Sequence, residues 1–169
     1  MSENHCIDTA LIEEATALID LLRATQLTVV TAESCTGGLI AAALSYAPSA
    51  SECLHGGFVV YTKDHKTIAL GVSRDLLERS GSVNAEVASE LARGALQRSA
   101  ADVALSVTGV LGPDPDEDGN PPGQVYFGVL RRGRTPRVVQ HHFKIGDPHQ
   151  ARRAVVLRAM ALVRETAHS

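Results

Sequence analysis

Apolar residues recur every third or fourth position from residue 8 to 25, placing Leu11, Ala15, Leu18 and Leu22 on one face of an amphipathic helix. The period then changes. "LTVVTA" (27–32) is a short β-branched run and predicts a buried strand. "TGGLIAAALSYA" returns to helical composition, alanine-rich and apolar on most sides, which predicts a deeply packed helix. "GGFVVYT" (56–62) predicts a second strand, and "KDHKTIALG" one or two helical turns stopped at Gly71. "SRDLLERSG" predicts another short helix closed by Gly81. Asn84 is placed to cap a helix over 85–100, with Val87, Leu91 and Ala95 along one face.

"DVALSVTG" (102–109) predicts a third buried strand. "GPDPDEDGNPPG" packs four prolines and three glycines into twelve residues, so it is a loop. "QVYFGVLRR" and "RVVQHHFKI" predict two strands around "GRTP", a hairpin. Residues 148–167 close the chain as a helix with Val155, Ala159 and Leu162 facing inward. The order α-β-α-β-α-β-β-β-α, with no repeat or long linker, predicts a single α/β domain over 1–169, its core about 8–167. The fold expected is an α/β/α sandwich with a mixed sheet, because the final hairpin is antiparallel. Ligands of such sheets gather beyond the carboxyl ends of strands. Those ends carry Ser34, Tyr61 and Thr108.

Composition narrows the function class. A hydrophobic share of 44% and a charged share of 21% are those of a soluble globular protein. A net charge of −3 argues against a nucleic-acid partner, and Arg131, Arg132 and Arg134 read as a solvated hairpin end. "MSENHCIDTA" lacks the basic start and apolar core of a secretory signal. No apolar run approaches the ~20 residues of a membrane helix. Cys6, Cys35 and Cys53 are too few and too odd for a disulfide framework. Three reduced thiols and a cytoplasmic location, away from membranes, are expected.

The candidate chemistry starts at "ESCTGG" (33–38). A serine leaving a strand just before a glycine-opened helix is placed as nucleophiles often are. The helix start offers N–H groups for an oxyanion or phosphate, which makes Thr36, Gly37 and Gly38 candidate binding positions. The same residues also suit a plain N-cap and tight turn. The stretch is not a G-x-S-x-G elbow, since Ala32 and Thr36 flank Ser34 at that spacing. Cys35 is a rival nucleophile near a helix N-terminus, but adjacent side chains diverge in such a turn, and Cys35 is assigned to packing.

A serine nucleophile needs a base. His141 and His142 lie on a late strand and the other histidines in loops or at termini, so no Ser-His-Asp order emerges. A desolvated lysine is the other choice. Lys63 and Lys66 both follow the second strand, and residue type alone does not separate them. Tyr61 can orient a base through its hydroxyl, or pack its ring with the hydroxyl in solvent. Thr108, followed by Gly109, either closes its strand or offers its hydroxyl and the next N–H groups to a ligand. "DPDEDG" (114–119) begins like a calcium loop, but its twelfth position is Val125 rather than Glu, so it reads as a solvated acidic loop and no metal is expected.

Taken together, "LTVVTAESCTGGLIAAAL", "GGFVVYTKDHKTIALGV", "GSVNAEVASELARGA", "ADVALSVTGVLGP" and "PPGQVYFGV" resemble the C-terminal domain family of the competence/damage-inducible protein CinA. Its members include stand-alone nicotinamide-nucleotide amidohydrolases. The resemblance covers most of the chain. It implies hydrolysis of the carboxamide of nicotinamide mononucleotide to nicotinate mononucleotide and ammonia. It implies Ser34 as nucleophile and, as base, the lysine five residues after Tyr61, which is Lys66 rather than Lys63. Thr108 is implied to line the site, and the N–H groups from Cys35 to Gly38 to hold the oxyanion. Lys66 or Tyr61 returns the proton to the leaving ammonia. The partner implied is a small pyridine nucleotide, with no metal or organic cofactor.

The chain departs from the family pattern in two places. Val110-Leu111 and "DPDEDGNPPG" replace a glycine-rich segment, and Pro148 stands where the family tends to have an arginine, with Arg152 and Arg153 one turn later. The alternative to an amidohydrolase is therefore a non-catalytic nucleotide-binding or regulatory domain of the same fold. Alanine-rich helices and a free sheet edge are compatible with a homo-oligomer.

Overall fold

The structure, a computed structural model, describes residues 7–168. Cys6, one of the three thiols, lies outside the described residues. The elements are α1 (Thr9–Ala24), β1 (Val29–Glu33), α2 (Leu39–Ser45), α3 (Ala50–Cys53), β2 (Leu54–Val59), α4 (Lys63–Leu70), α5 (Arg74–Ser80), α6 (Ala85–Gln97), β3 (Val103–Gly109), β4 (Gln124–Arg131), β5 (Arg137–His142) and α7 (Pro148–Ala167). They form an α/β fold around one mixed five-stranded sheet of order β2-β1-β3-β4-β5. β1 pairs in parallel with both β2 and β3, while β4 and β5 complete the sheet antiparallel.

Strand alternation feeds two cores. On one face Val29 and Val103, Leu105 and Val107 meet α1, α2 and α7 through residues such as Leu18, Ile40 and Val155. On the other, Val30, Ala32 and Ala104 meet α4, α5 and α6 through Leu70, Leu76 and Leu91. All five residues of β1 are buried, as a central parallel strand requires. Helix starts are set by side-chain caps: Asp8 accepts from Leu11 N at 2.9 Å, Thr62 from His65 N at 3.1 Å, and Asn84 from Val87 N at 2.8 Å. Among the described residues no helix is long and apolar enough to cross a membrane.

Four expectations change. The helix expected over the alanine-rich stretch is shorter, α2 spanning only Leu39–Ser45, and beyond Pro48, with Ser49 at φ 61, an unforeseen short α3 follows. α2 is not deeply packed all round: Ile40, Ala43 and Leu44 are buried, but Leu39, Ala41 and Ala42 are only half-buried. β2 is an edge strand that stops at Val59, so Tyr61 lies beyond it rather than at its end. Arg132 is no free hairpin charge; its guanidinium donates to the carbonyls of Leu96, Ser99 and Ala101 and closes the end of α6.

α4, which carries Lys66, is held against α6 by close backbone approach. A Cβ on Gly94 would fall on the Leu70 carbonyl at the end of α4, so the two helices meet only because residue 94 has no side chain. Gly94→Val is expected to lower stability by about 1–3 kcal/mol, read as a lower urea midpoint at unchanged slope.

Candidate active site

β1 carries the chain to the sheet edge, and two backbone bonds extend its path. Ser34 N donates to Val107 O at 3.0 Å, and Val60 N donates to Glu33 O at 2.8 Å. The turn beyond is built on a buried carboxylate. Glu33, 1% exposed, accepts from Thr31 Oγ1 (2.9 Å), Thr36 Oγ1 (2.7 Å), Ile40 N (2.9 Å) and Ala41 N (2.8 Å). The last two are unpaired donors of the first turn of α2. Gly37 (φ 61) and Gly38 (φ 96) make the left-handed turn that swings α2 back over the strand.

Lys66 reaches the same edge from the first turn of α4. It is 1% exposed, and its Nζ lies 3.0 Å from Ser34 Oγ, 2.9 Å from Val60 O and 3.3 Å from Tyr61 O. Among the described residues no carboxylate touches it. Burial penalises the ammonium and, with the charge of Lys63 adding to the effect, brings the Lys66 pKa down to about 8. A neutral amine has two hydrogens and one lone pair. The Val60 and Tyr61 carbonyls take the hydrogens, which aims the lone pair at the Ser34 hydroxyl.

Cys35, beside Ser34, packs against the α1/α2/α7 core. Burial, reinforced by the Glu33 charge, pushes its thiol up to about 12, so it stays protonated and is a poor nucleophile. A cavity of about 330 Å³ opens in front of the pair. Ser34, Cys35 and Tyr61 line it together with Ser82, Gly109–Gly112, Asp116, Glu117 and Arg152.

Residues 12–167 match the family described as the CinA C-terminal domain. The chain belongs to this family. Protein YdeJ of Escherichia coli is 43% identical over 136 residues, covering 80% of this chain and 79% of the relative. A putative competence-damage inducible protein of Caldicellulosiruptor bescii is 44% identical over 126 residues, but this chain covers only 30% of its length. Among solved structures, a CinA superfamily protein of E. coli superposes with TM-score 0.87 at 38% identity, over 92% of this chain and 90% of that one. The CihA protein of Agrobacterium tumefaciens superposes with TM-score 0.85 at 35% identity over 100% of both chains.

In this CinA domain some anticipated site residues meet and others do not. Ser34 and Lys66 are in direct contact. Tyr61 forms part of the cavity wall, but its ring is 70% exposed and its closest tie to the pair is its backbone carbonyl. Thr108 is buried and spends its hydroxyl on Ser82 O at 2.7 Å, so it braces a wall residue instead of facing the cavity. Thr36 spends its hydroxyl on Glu33. Gly109 lines the cavity; Gly37 and Gly38 do not.

The start of α2 is not an open anion cradle, because Glu33 already occupies two of its N–H groups and neutralises its positive end. The N–H of Thr36, in the turn itself, donates to no group among the described residues, and that of Cys35 meets only its own thiol. Glu33 escaped sequence reasoning, although a lone carboxylate ending an apolar strand is a legible signal. The 116–117 carboxylates were read as solvated, and only the fold brings them to the cavity.

Between pH 8 and 10.5 the unfolded chain holds a proton on residue 66 that the folded chain has released, so stability rises with pH across that window. Urea unfolding of wild type should show this added rise relative to Lys66→Met, which lacks the titrating amine. Parallel curves for the two proteins would contradict it.

Proposed function

We propose that this domain is a nicotinamide-nucleotide amidohydrolase, converting nicotinamide mononucleotide to nicotinate mononucleotide and ammonia. The observation that carries the reading is the buried Lys66 amine, 3.0 Å from the Ser34 hydroxyl, with backbone carbonyls on its other sides. Ser34 attacks the carboxamide carbon while its proton passes to Lys66. The developing oxyanion is held by the N–H groups of Cys35 and Thr36. Lys66 then returns the proton to the leaving nitrogen, and ammonia departs. Water attacks the acyl-serine, again giving its proton to Lys66, and the carboxylate product is released as Ser34 regains its hydrogen. The steps use only groups of this chain and require no metal or organic cofactor.

Arg152 faces the cavity from α7, whereas its neighbour Arg153 is paired with Asp8 at 2.6 Å. We assign Arg152 to the substrate phosphate, in place of the arginine that Pro148 displaces. Arg152→Ala is expected to raise KM about tenfold or more with a much smaller change in kcat.

Ammonia release from nicotinamide mononucleotide tests the scheme. Ser34→Ala and Lys66→Met should each lose about a thousandfold or more, and Cys35→Ala should stay within a few-fold of wild type. Because the neutral amine is the base, kcat/KM should rise with pH and level off above about 8. Equal turnover by wild type and Ser34→Ala would sink the serine mechanism. Nucleotide binding without ammonia release in wild type would instead favour a non-catalytic binding domain.

A further inference from the structure

The cavity changes sign across its width. Arg152 belongs to α7, in the layer that packs with α1 and α2. Facing it is the loop after β3, where Asp114, Asp116, Glu117 and Asp118 fall within five residues. That loop is fastened to the opposite helix layer. Lys63 of α4 bridges Asp118 at 2.7 Å and Glu117 at 3.0 Å, and Ser82 N, between α5 and α6, donates to Asp118 Oδ2 at 3.2 Å. Asp116 fixes the loop internally, accepting from the N–H groups of Asp118 (3.0 Å) and Asn120 (2.8 Å). One lysine against these carboxylates leaves the wall net negative where Asp116 and Glu117 meet the cavity. Ser34, just past the end of the central strand β1, lines the same cavity, and Lys66 of α4 contacts it from the buried side.

A pocket that is cationic on one side and anionic on the other suits a ligand that is itself dipolar. We propose that Asp116 and Glu117 select a substrate whose ring is cationic beside the scissile amide, and that the same wall holds the product less tightly. The inference rests on the amidohydrolase reading. An N-ribosylated nicotinamide carries its positive charge in the pyridinium ring and its negative charge on the phosphate. The ring is drawn to the acidic wall and the phosphate to Arg152. Hydrolysis adds water across the C–N bond, giving a carboxylate and ammonium where a neutral carboxamide stood. The ring keeps its positive charge, and the new carboxylate offsets it in front of Asp116 and Glu117. The wall that draws the substrate in therefore has little net hold on the product.

Glu117 is the position to test, because its side chain is 73% exposed and Lys63 keeps Asp118 as a partner when it is changed. Wild type, Glu117→Gln and Glu117→Lys are compared on nicotinamide mononucleotide and on its reduced dihydro form, whose ring is uncharged. Nicotinate mononucleotide serves as product inhibitor. At low salt the KM for the cationic ring should rise about threefold in Glu117→Gln and about tenfold in Glu117→Lys, shrinking as salt is added. The KM for the reduced form should move far less. The product inhibition constant should change far less than the KM for the cationic ring. Active variants in which all three constants move together, or none moves, would overturn the proposal while leaving the amidohydrolase reading intact. No ammonia from wild type on nicotinamide mononucleotide would overturn both.

Discussion

A buried carboxylate organises this domain. Glu33 sits at the end of the central strand with its charge out of water, which is affordable only because four donors surround it. Two of those donors are the opening amides of α2, so the helix is tied to the strand through one side chain. The residue between strand and helix has little freedom left. Ser34 therefore points where the sheet edge points, and the helix dipole is discharged before it reaches the cavity. Removing the carboxylate would leave two amides and two hydroxyls unpaired in the interior.

The second ionisable group of the site is treated in the opposite way. Among the described residues Lys66 has no counter-ion, only carbonyls and a hydroxyl, and the protein holds its proton loosely as a result. An ammonium in that position weakens the fold at neutral pH, a cost that a purely structural core would not retain. The carboxylate is surrounded by donors, and the amine is left by burial with a loosened proton. Environment, not residue type, sets which group is inert and which can react.

Much of this was legible in the chain itself. Period-three-and-four spacing located α1, α6 and α7, and β-branched runs located β1 and β3, because both signals come from burial on one face. The serine at the strand end was legible for the same reason. The choice between Lys63 and Lys66 was not, since two lysines three residues apart on a helix differ only in which way the helix is rolled; it took the family resemblance to name Lys66, and the fold to show Lys63 paired with the acidic loop. Thr108 and Thr36 misled because a hydroxyl near a site has several partners open to it, and the sequence does not say which is nearest. The single turn α3 beyond Pro48 was not legible, because four residues are too few to show a period. The acidic loop could be recognised as a loop, but its landing place depends on the strap to Lys63 and on Ser82, both distant in sequence.

The acceptors that hold Lys66 in position are main-chain carbonyls. That has a consequence for how the site can change over evolutionary time. Residues 60 and 61 contribute to the alignment of the amine through the path of the chain; the Val60 side chain is fixed in the core, but that of Tyr61 is free to drift without disarming it. The outward-facing ring of Tyr61 can be exchanged by genetic variation, while its carbonyl cannot be lost by any substitution that preserves the turn. The mutational vulnerability of the Lys66 amine's alignment thus falls on the turn and not on the side chain of residue 61.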